Sequence, residues 1–342
     1  MFSLVTHSSE HLGLQALLPE GEEICDTEEI KKGFSCKKYL VTTQSNKYVL
    51  RIQDTKTYEL FAFELKVTQV AASLKIGPQL IAHDAHRQQM LLEYIFCQKW
   101  PSYEENPTPY CEAMRLLKLF HNESPNCIKR EESNDAFSPF SHLIDRGRKM
   151  IEEIPSLPRH FAQAIDKIQL VFKSLIPWLT KNATYCHGDF HKDNALYNGE
   201  RVFLIDWETT SWGDPLLDVV KFSLPLSIEY RHKLYGAYLG QDPTSQEIAH
   251  FELMDLTFLV VVIVNRMNLA YSQRVSPSEM LSQEEMEILL EAPAELPSFS
   301  SVTYADSSPK ARQKGAIYAL AEFLQKTNKN SSFNNLLDKV LT

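Results

Sequence analysis

Features that would assign this chain to a specialised class are missing from it. The six cysteines (Cys25, Cys36, Cys97, Cys111, Cys127 and Cys186) are scattered without paired spacing, which argues against a disulfide framework and leads us to expect free thiols in a reducing, cytoplasmic setting. Positive charge is not in excess: 35 Lys and Arg stand against 44 Asp and Glu, a formal net charge of −9. A nucleic acid or an anionic membrane would call for a cationic footprint, so neither is an expected partner. Long apolar runs are absent too. The longest, residues 256–264, is bracketed by Asp255 and Asn265 and falls well short of the roughly twenty residues of a membrane span, so it reads as a buried helix. Residues 1–5 are apolar but too short and lack a basic flank, so no targeting segment is expected. Internal repeats and low-complexity tracts are missing as well. What remains is an ordinary globular composition, 44% hydrophobic and 23% charged, over 342 residues, more than one hydrophobic core usually holds. Two lobes are expected.

The informative stretch is residues 185–220, YCHGDFHKDNALYNGERVFLIDWETTSWGDPLLDVV. His187, Gly188 and Asp189 open it, Asn194 follows five residues after the aspartate, and Asp206 closes a short apolar strand-like run, 202–205. Phosphoryl transfer needs a carboxylate to orient and deprotonate the attacking hydroxyl, and divalent ions to neutralise charge on phosphate oxygens. Asp189 suits the first task. Magnesium is a hard ion that prefers oxygen, so the amide oxygen of Asn194 and the carboxylate of Asp206 suit the second. Asn198-Gly199 between two apolar runs is a strong hairpin signal and would bring both ligands together. Other roles are open to the same residues. Asp189 and Asp206 could be a turn residue and a strand-end cap. His187 and His191 could ligate a metal with Asp189, although no further His or Cys cluster follows at zinc spacing. His187 reads more naturally as a scaffold for the loop.

His187-x-Asp189-x-x-x-x-Asn194 is similar to the catalytic loop of protein kinases, with Asp206 at the place of their metal-binding aspartate. The combination of His-Gly-Asp, Ile-Asp-Trp-Glu and Gly-Asp-Pro-x-x-Asp more specifically resembles the aminoglycoside phosphotransferase and choline/thiamine kinase superfamily. That resemblance implies an α+β, bilobal protein-kinase-like fold. A nucleotide-binding lobe with a small antiparallel sheet would span residues 1–95, and a mainly helical catalytic and acceptor-binding lobe residues 96–342. It implies ATP and Mg2+ as cofactors. Glu208 resembles a glutamate near the metals in choline and thiamine kinases, with a surface strand-end residue as the alternative. Asp214 and Asp218 stand where the family has aspartates that brace the catalytic and metal loops, and Asp214 could equally cap a helix that Pro215 opens.

In the first lobe, 28–32 and 38–43 read as strands joined across Gly33-Phe34-Ser35-Cys36, a turn that would cover the phosphates, with Gly33 and Ser35 as candidate contacts. Only one glycine stands where protein kinases have three, so an ordinary hairpin turn competes with that reading. Residues 47–52 form a third strand, and Arg51 takes the place of the phosphate-pairing lysine. Its partner is expected on the helix over 58–74, where Glu64 is the candidate and Glu59 a competitor. Residues 90–95 read as a strand ending at a lobe connection around Glu93, whose backbone would receive adenine. Helices are expected over 110–121, 137–154, 161–176 (ended by Pro177), 228–239, 245–272, 282–290 and 310–326, with a loop or insertion over 291–308.

The expected function is therefore phosphorylation of a hydroxyl on a small molecule. A protein kinase is one alternative, but no Ala-Pro-Glu segment follows Asp206. A nucleotide-binding pseudokinase scaffold is another, with no chemical need for Asp189, Asn194 and Asp206 together. Charge points to the acceptor. Through Cys97 there are 12 acidic and 10 basic residues, leaving 32 against 25 beyond it, so −7 of the −9 falls in the expected acceptor lobe. A focused negative field favours a cationic or amine-bearing acceptor, and Trp207, Trp212 and the region of Tyr271 could offer aromatic faces to an ammonium group.

Overall fold

The structure, a computed structural model, describes residues 11–31, 36–53, 57–129, 138–272, 276–291, 308–327 and 330–341. In chain order these form α1 (His11–Leu14) with a 3-10 turn (Gln15–Leu17), β1 (Ile24–Glu29), β2 (Lys37–Thr43), β3 (Lys47–Ile52), α2 (Tyr58–Ser73), β4 (Leu80–Asp84), β5 (Gln89–Glu93), α3 (Thr108–Cys127), α4 (Ser138–Glu153), α5 (Arg159–Asn182), β6 (Thr184–Cys186), β7 (Ala195–Tyr197), β8 (Val202–Leu204), β9 (Ser211–Gly213), α6 (Leu216–Ser223), α7 (Ile228–Leu239), α8 (Ser245–Tyr271), α9 (Gln283–Glu291), α10 (Pro309–Thr327) and α11 (Asn330–Leu341). The chain divides into two compact units. One comprises the described residues before 131 together with His187–Thr210, and the other the described residues of 131–186 together with those from Ser211 onward.

The first unit is built on a five-stranded antiparallel sheet of order β1-β2-β3-β5-β4. Strand alternation assigns its two faces different tasks. Tyr39, Val41, Tyr48, Leu50 and Leu91 lie on one face and bury Leu14 and Leu17 of the N-terminal helical turn. The register pairs Lys38 with Arg51 and Arg51 with Met90, so these three share the opposite face. Met90 packs there against Phe61 and Leu65 of α2, so the buried face of that helix, Glu64 included, looks onto Arg51. Thr57 caps α2 by accepting the Leu60 N–H. The second unit is helical apart from the two-stranded β6–β9 pair. Its axis is α8, opened by a Thr244–Glu247 capping box and packed on by α4, α5, α6, α10 and α11. Within it, buried Asp255 on α8 pairs with Arg231 at 2.5 Å and Lys326 at 2.8 Å.

Several element boundaries differ from the expectations. β1 starts at Ile24 rather than 28, because pairing with β2 runs back to Thr43. α3 runs past His121 through Pro125, and α5 runs past Pro177 to Asn182. A proline removes one helical hydrogen bond, a local cost that burial of the flanking helix outweighs here. α11 was not expected. Most of the 291–308 segment lies outside the described residues. Among the described residues no helix is long and apolar enough to cross a membrane, and the apolar run 256–264 lies inside α8.

Candidate active site

Four charged groups meet on the α2 face of the sheet. Arg51 Nη2 lies 2.8 Å from Glu64 Oε1 and 2.9 Å from Asp206 Oδ1, while Lys38 Nζ lies 3.4 Å from Asp206 Oδ2. Gln53 Nε2 donates to the second Glu64 oxygen at 3.0 Å. Arg51 and Glu64 are 5% and 1% exposed, so neither tolerates an unpaired charge. Burial opposes the charge on Arg51, but Glu64 and Asp206 carry the guanidinium above its ordinary value. Burial likewise pushes the Asp206 carboxyl up, yet Arg51 and Lys38 hold it below the usual carboxylate range. Asp206 has φ 70° and ψ 64°, a left-handed conformation that aspartate adopts more readily than most residues. Local strain of this kind tends to collect where a side chain must be aimed.

The loop from His187 to Asn194 lies beside this cluster. His187 is fully buried; its Nδ1 accepts the Asp189 N–H at 3.4 Å, which makes Nε2 the donor to the Ile205 carbonyl at 2.9 Å. One imidazole thus ties the residue that carries the first carboxylate to the residue preceding the second. Gly188 sits at φ +81°, and a Cβ there would run into the Thr209 carbonyl oxygen. Asn194 Nδ2 donates to the Asp189 carbonyl at 2.9 Å and to Asp189 Oδ2 at 3.3 Å. Its backbone carbonyl accepts the Ile205 N–H at 3.0 Å. The expected hairpin supplies this closure: β7 and β8 pair Ala195 with Leu204 and Tyr197 with Val202, around a turn in which Asn198 Oδ1 accepts the N–H groups of Glu200 and Arg201.

Asp189, Asn194, Asp206, Arg51 and Glu64 therefore come together within one unit. Glu64 holds Arg51, whereas Glu59 is exposed at the first turn of α2, its carboxyl lowered by its own N–H and by Thr57. Glu208 is half-buried in the 3-10 turn Trp207–Thr209 that follows Asp206. Glu93 ends β5; its backbone N–H and its Oε2 both engage Gln79, at 2.9 and 3.2 Å. Gly33 and Ser35 lie outside the described residues. Asp214 and Asp218 belong to the second unit, both fully buried. Asp214 Oδ1 accepts the Leu216 N–H at 2.9 Å in the first turn of α6, and its Oδ2 is 2.9 Å from His250 Nε2.

Trp207 does not offer the aromatic face expected of it. It is 2% exposed, with ring centroids 4.5 Å from Phe120 and 4.6 Å from His187, because the turn after Asp206 folds it into the unit's core. Sequence reasoning missed Lys38, and it weighed His191 only as a metal ligand beside His187 and Asp189. The His191 ring accepts the Asp193 N–H through Nδ1, and its Nε2 lies 3.5 Å from Asp189 Oδ2. Lys38 lies opposite Arg51 through the β2–β3 register, which spacing along the chain does not fix.

Residues 26–251 match the sequence model of a family described as the phosphotransferase enzyme family (APH). The chain belongs to that family. Solved structures with the same fold include a choline/ethanolamine kinase family protein from Mesorhizobium loti (TM-score 0.63, 17% identity, covering 92% of each chain). A choline kinase from Cryptosporidium parvum is similar at TM-score 0.63 and 11% identity, covering 93% of each chain. APH(2")-IIa, in a ternary complex with streptomycin and ATP, is similar at TM-score 0.52 and 18% identity, covering 78% of this phosphotransferase and 92% of that chain. The fold of the phosphotransferase is thus the α+β kinase-like one that the motif block implied, and its family is one of phosphotransferase enzymes.

Proposed function

We propose that this phosphotransferase moves the γ-phosphoryl group of ATP, with Mg2+, to a hydroxyl of a small cationic or amine-bearing molecule. The observation that carries the proposal is the convergence of Asp189, Asn194 and Asp206 beside the Arg51–Glu64 pair within one unit. The donor set suits magnesium. Asp206 is an ionised carboxylate, and Asn194 directs its amide nitrogen at Asp189, which leaves its Oδ1 with no donor among the described residues. Hard oxygen ligands of this kind are what the ion prefers. Asn194 and Asp206 would hold it, with Glu208 as a further candidate, and the ion would neutralise charge spreading over the phosphate oxygens.

The chain's own groups do the rest. Arg51, locked by Glu64, presents a fixed positive charge to the donor phosphates, and Gly33, Ser35 and the backbone at Glu93 complete the nucleotide contacts proposed for residues 1–95. Asp189 orients the acceptor hydroxyl and takes its proton as the oxygen attacks, with Oδ2 steadied by Asn194 and His191. His187, Asp214 and Asp218 are structural supports. Residues 96–342 would supply catalysis and the acceptor site, where the excess negative charge lies. Choline and streptomycin in the names of similar proteins agree in sign with a cationic acceptor. None of the six cysteines is joined in a disulfide, in keeping with the proposed cytoplasmic setting.

The test is ADP release by the purified protein with Mg-ATP against choline, ethanolamine, thiamine, aminoglycosides, neutral sugars and a generic protein. We expect a cationic alcohol to be the best acceptor, with a KM that rises with added salt more than that of Mg-ATP. Asp189→Ala should retain nucleotide binding and lose at least about 100-fold in turnover. A neutral or anionic alcohol as best acceptor would overturn the acceptor class. Unchanged turnover in Asp189→Ala would remove that residue from the mechanism.

A further inference from the structure

Asp206 stands between two cations, one on each of its oxygens: Arg51 Nη2 at 2.9 Å from Oδ1 and Lys38 Nζ at 3.4 Å from Oδ2. The two are not equivalent. Arg51 is almost fully buried and clamped by Glu64 as well. Its planar fork is held by both carboxylates, and leaving Asp206 would strand a buried charge. The Lys38 side chain is 16% exposed, its bond is longer, and Asp206 is the one carboxylate it meets among the described residues. A lysine ammonium on a four-carbon stem can swing several ångströms without disturbing the sheet, since the β2 backbone stays paired to β3 at Lys38 and Arg51.

A divalent ion and an ammonium cannot both sit in contact with one carboxylate oxygen without strong like-charge repulsion. Any metal held by Asp206 therefore has to take an oxygen from one of these cations, and Lys38 is the one able to leave. We propose that Lys38 is the resident counter-ion of Asp206 in the empty enzyme, yields that carboxylate when metal arrives, and transfers its charge to the donor phosphates. The exchange rests on the reading of Asp206 as a metal ligand. Its consequence is coupling. Metal alone must compete with Lys38 and binds weakly; nucleotide draws Lys38 away and opens Asp206, so the two bind well only together. Until then Lys38 keeps the Asp206–Arg51–Glu64 cluster electrically balanced.

The experiment uses the full chain and two separate titrations. Mn2+ is titrated without nucleotide and followed by its paramagnetic resonance signal; ATP is titrated in excess chelator and followed by calorimetry. Lys38→Met should bind Mn2+ alone about tenfold more tightly than the parent and metal-free ATP about tenfold more weakly. These opposite signs are not what a general loss of structure produces. Lys38→Gln serves in the same way if the methionine variant does not fold. Mn2+ binding no tighter than in the parent, or metal-free ATP binding that is unchanged, overturns the exchange. Asp206→Asn in the same Mn2+ titration separates the two layers of the argument: loss of Mn2+ binding keeps Asp206 as a ligand whatever Lys38 does, and unaltered binding overturns that reading and the exchange with it.

Discussion

Glu64→Gln is the substitution that most directly probes the charge balance of the site. In the native cluster two cations, Arg51 and Lys38, face two carboxylates, Glu64 and Asp206, and the Glu64 side chain is 1% exposed. The amide is nearly the same shape, so no cavity opens, but one negative charge disappears and the buried guanidinium is left with Asp206 alone. Breaking a buried pair by removing one member typically costs ~3–5 kcal/mol. Asp206 still faces Arg51 after the change, and the Lys38 side of the cluster opens to solvent, which brings the expected loss to about 2–3 kcal/mol. For a protein of this size that corresponds to a midpoint lower by roughly 3–4 °C in thermal unfolding. The loss should be specific to charge. In a double-mutant cycle Arg51→Met with Glu64→Leu should cost less than the sum of the single changes, with a coupling of at least about 1 kcal/mol, because the pair then leaves no uncompensated charge. KM for Mg-ATP should rise in each variant that frees Arg51. A Glu64→Gln protein within about 0.5 kcal/mol of the parent, as for a surface substitution, would refute the argument. Strict additivity in the cycle would refute it too.

Asp206 offers a pH test with a definite sign. Its carboxyl is held below the usual range in the folded protein, so its contribution to stability is complete above the ordinary carboxylate pKa and is lost as pH falls below it. The stability gap between the parent and Asp206→Asn should be widest near neutrality and close on acidification below about pH 4, as followed by urea unfolding across pH. Gly188→Ala forces a side chain into a backbone at φ +81° and against the Thr209 carbonyl, so it should destabilise by about 1–2 kcal/mol and lower kcat by displacing Asp189. A variant with parental stability and kcat would show that the loop has another conformation available.

The motif block was legible in the sequence because its chemistry is local. His187, Asp189, Asn194 and Asp206 lie within twenty residues, a hairpin between β7 and β8 returns the chain on itself, and the Asn-Gly turn announces that return. The helices were legible for a similar reason, apolar periodicity over long segments, although α5 ran through Pro177, which read as a stop, and α3 ran past His121 and through Pro125. Arg51 and Glu64 could be proposed from order along the chain, but the choice of Glu64 over Glu59 was decided by which face of α2 packs on Met90. Lys38 was invisible for the same reason. Nothing in its neighbourhood in sequence refers to Asp206, and only the β2–β3 register, together with a left-handed backbone at Asp206, aims the two at each other. Trp207 is the converse case: its sequence context suggested an exposed aromatic face, and packing against Phe120 and His187 removed it. Spacing along a chain determines which groups a short loop can gather. Which distant charges meet, and which rings are left for a ligand, depends on strand register and helix facing, and these are set by burial summed over the whole unit.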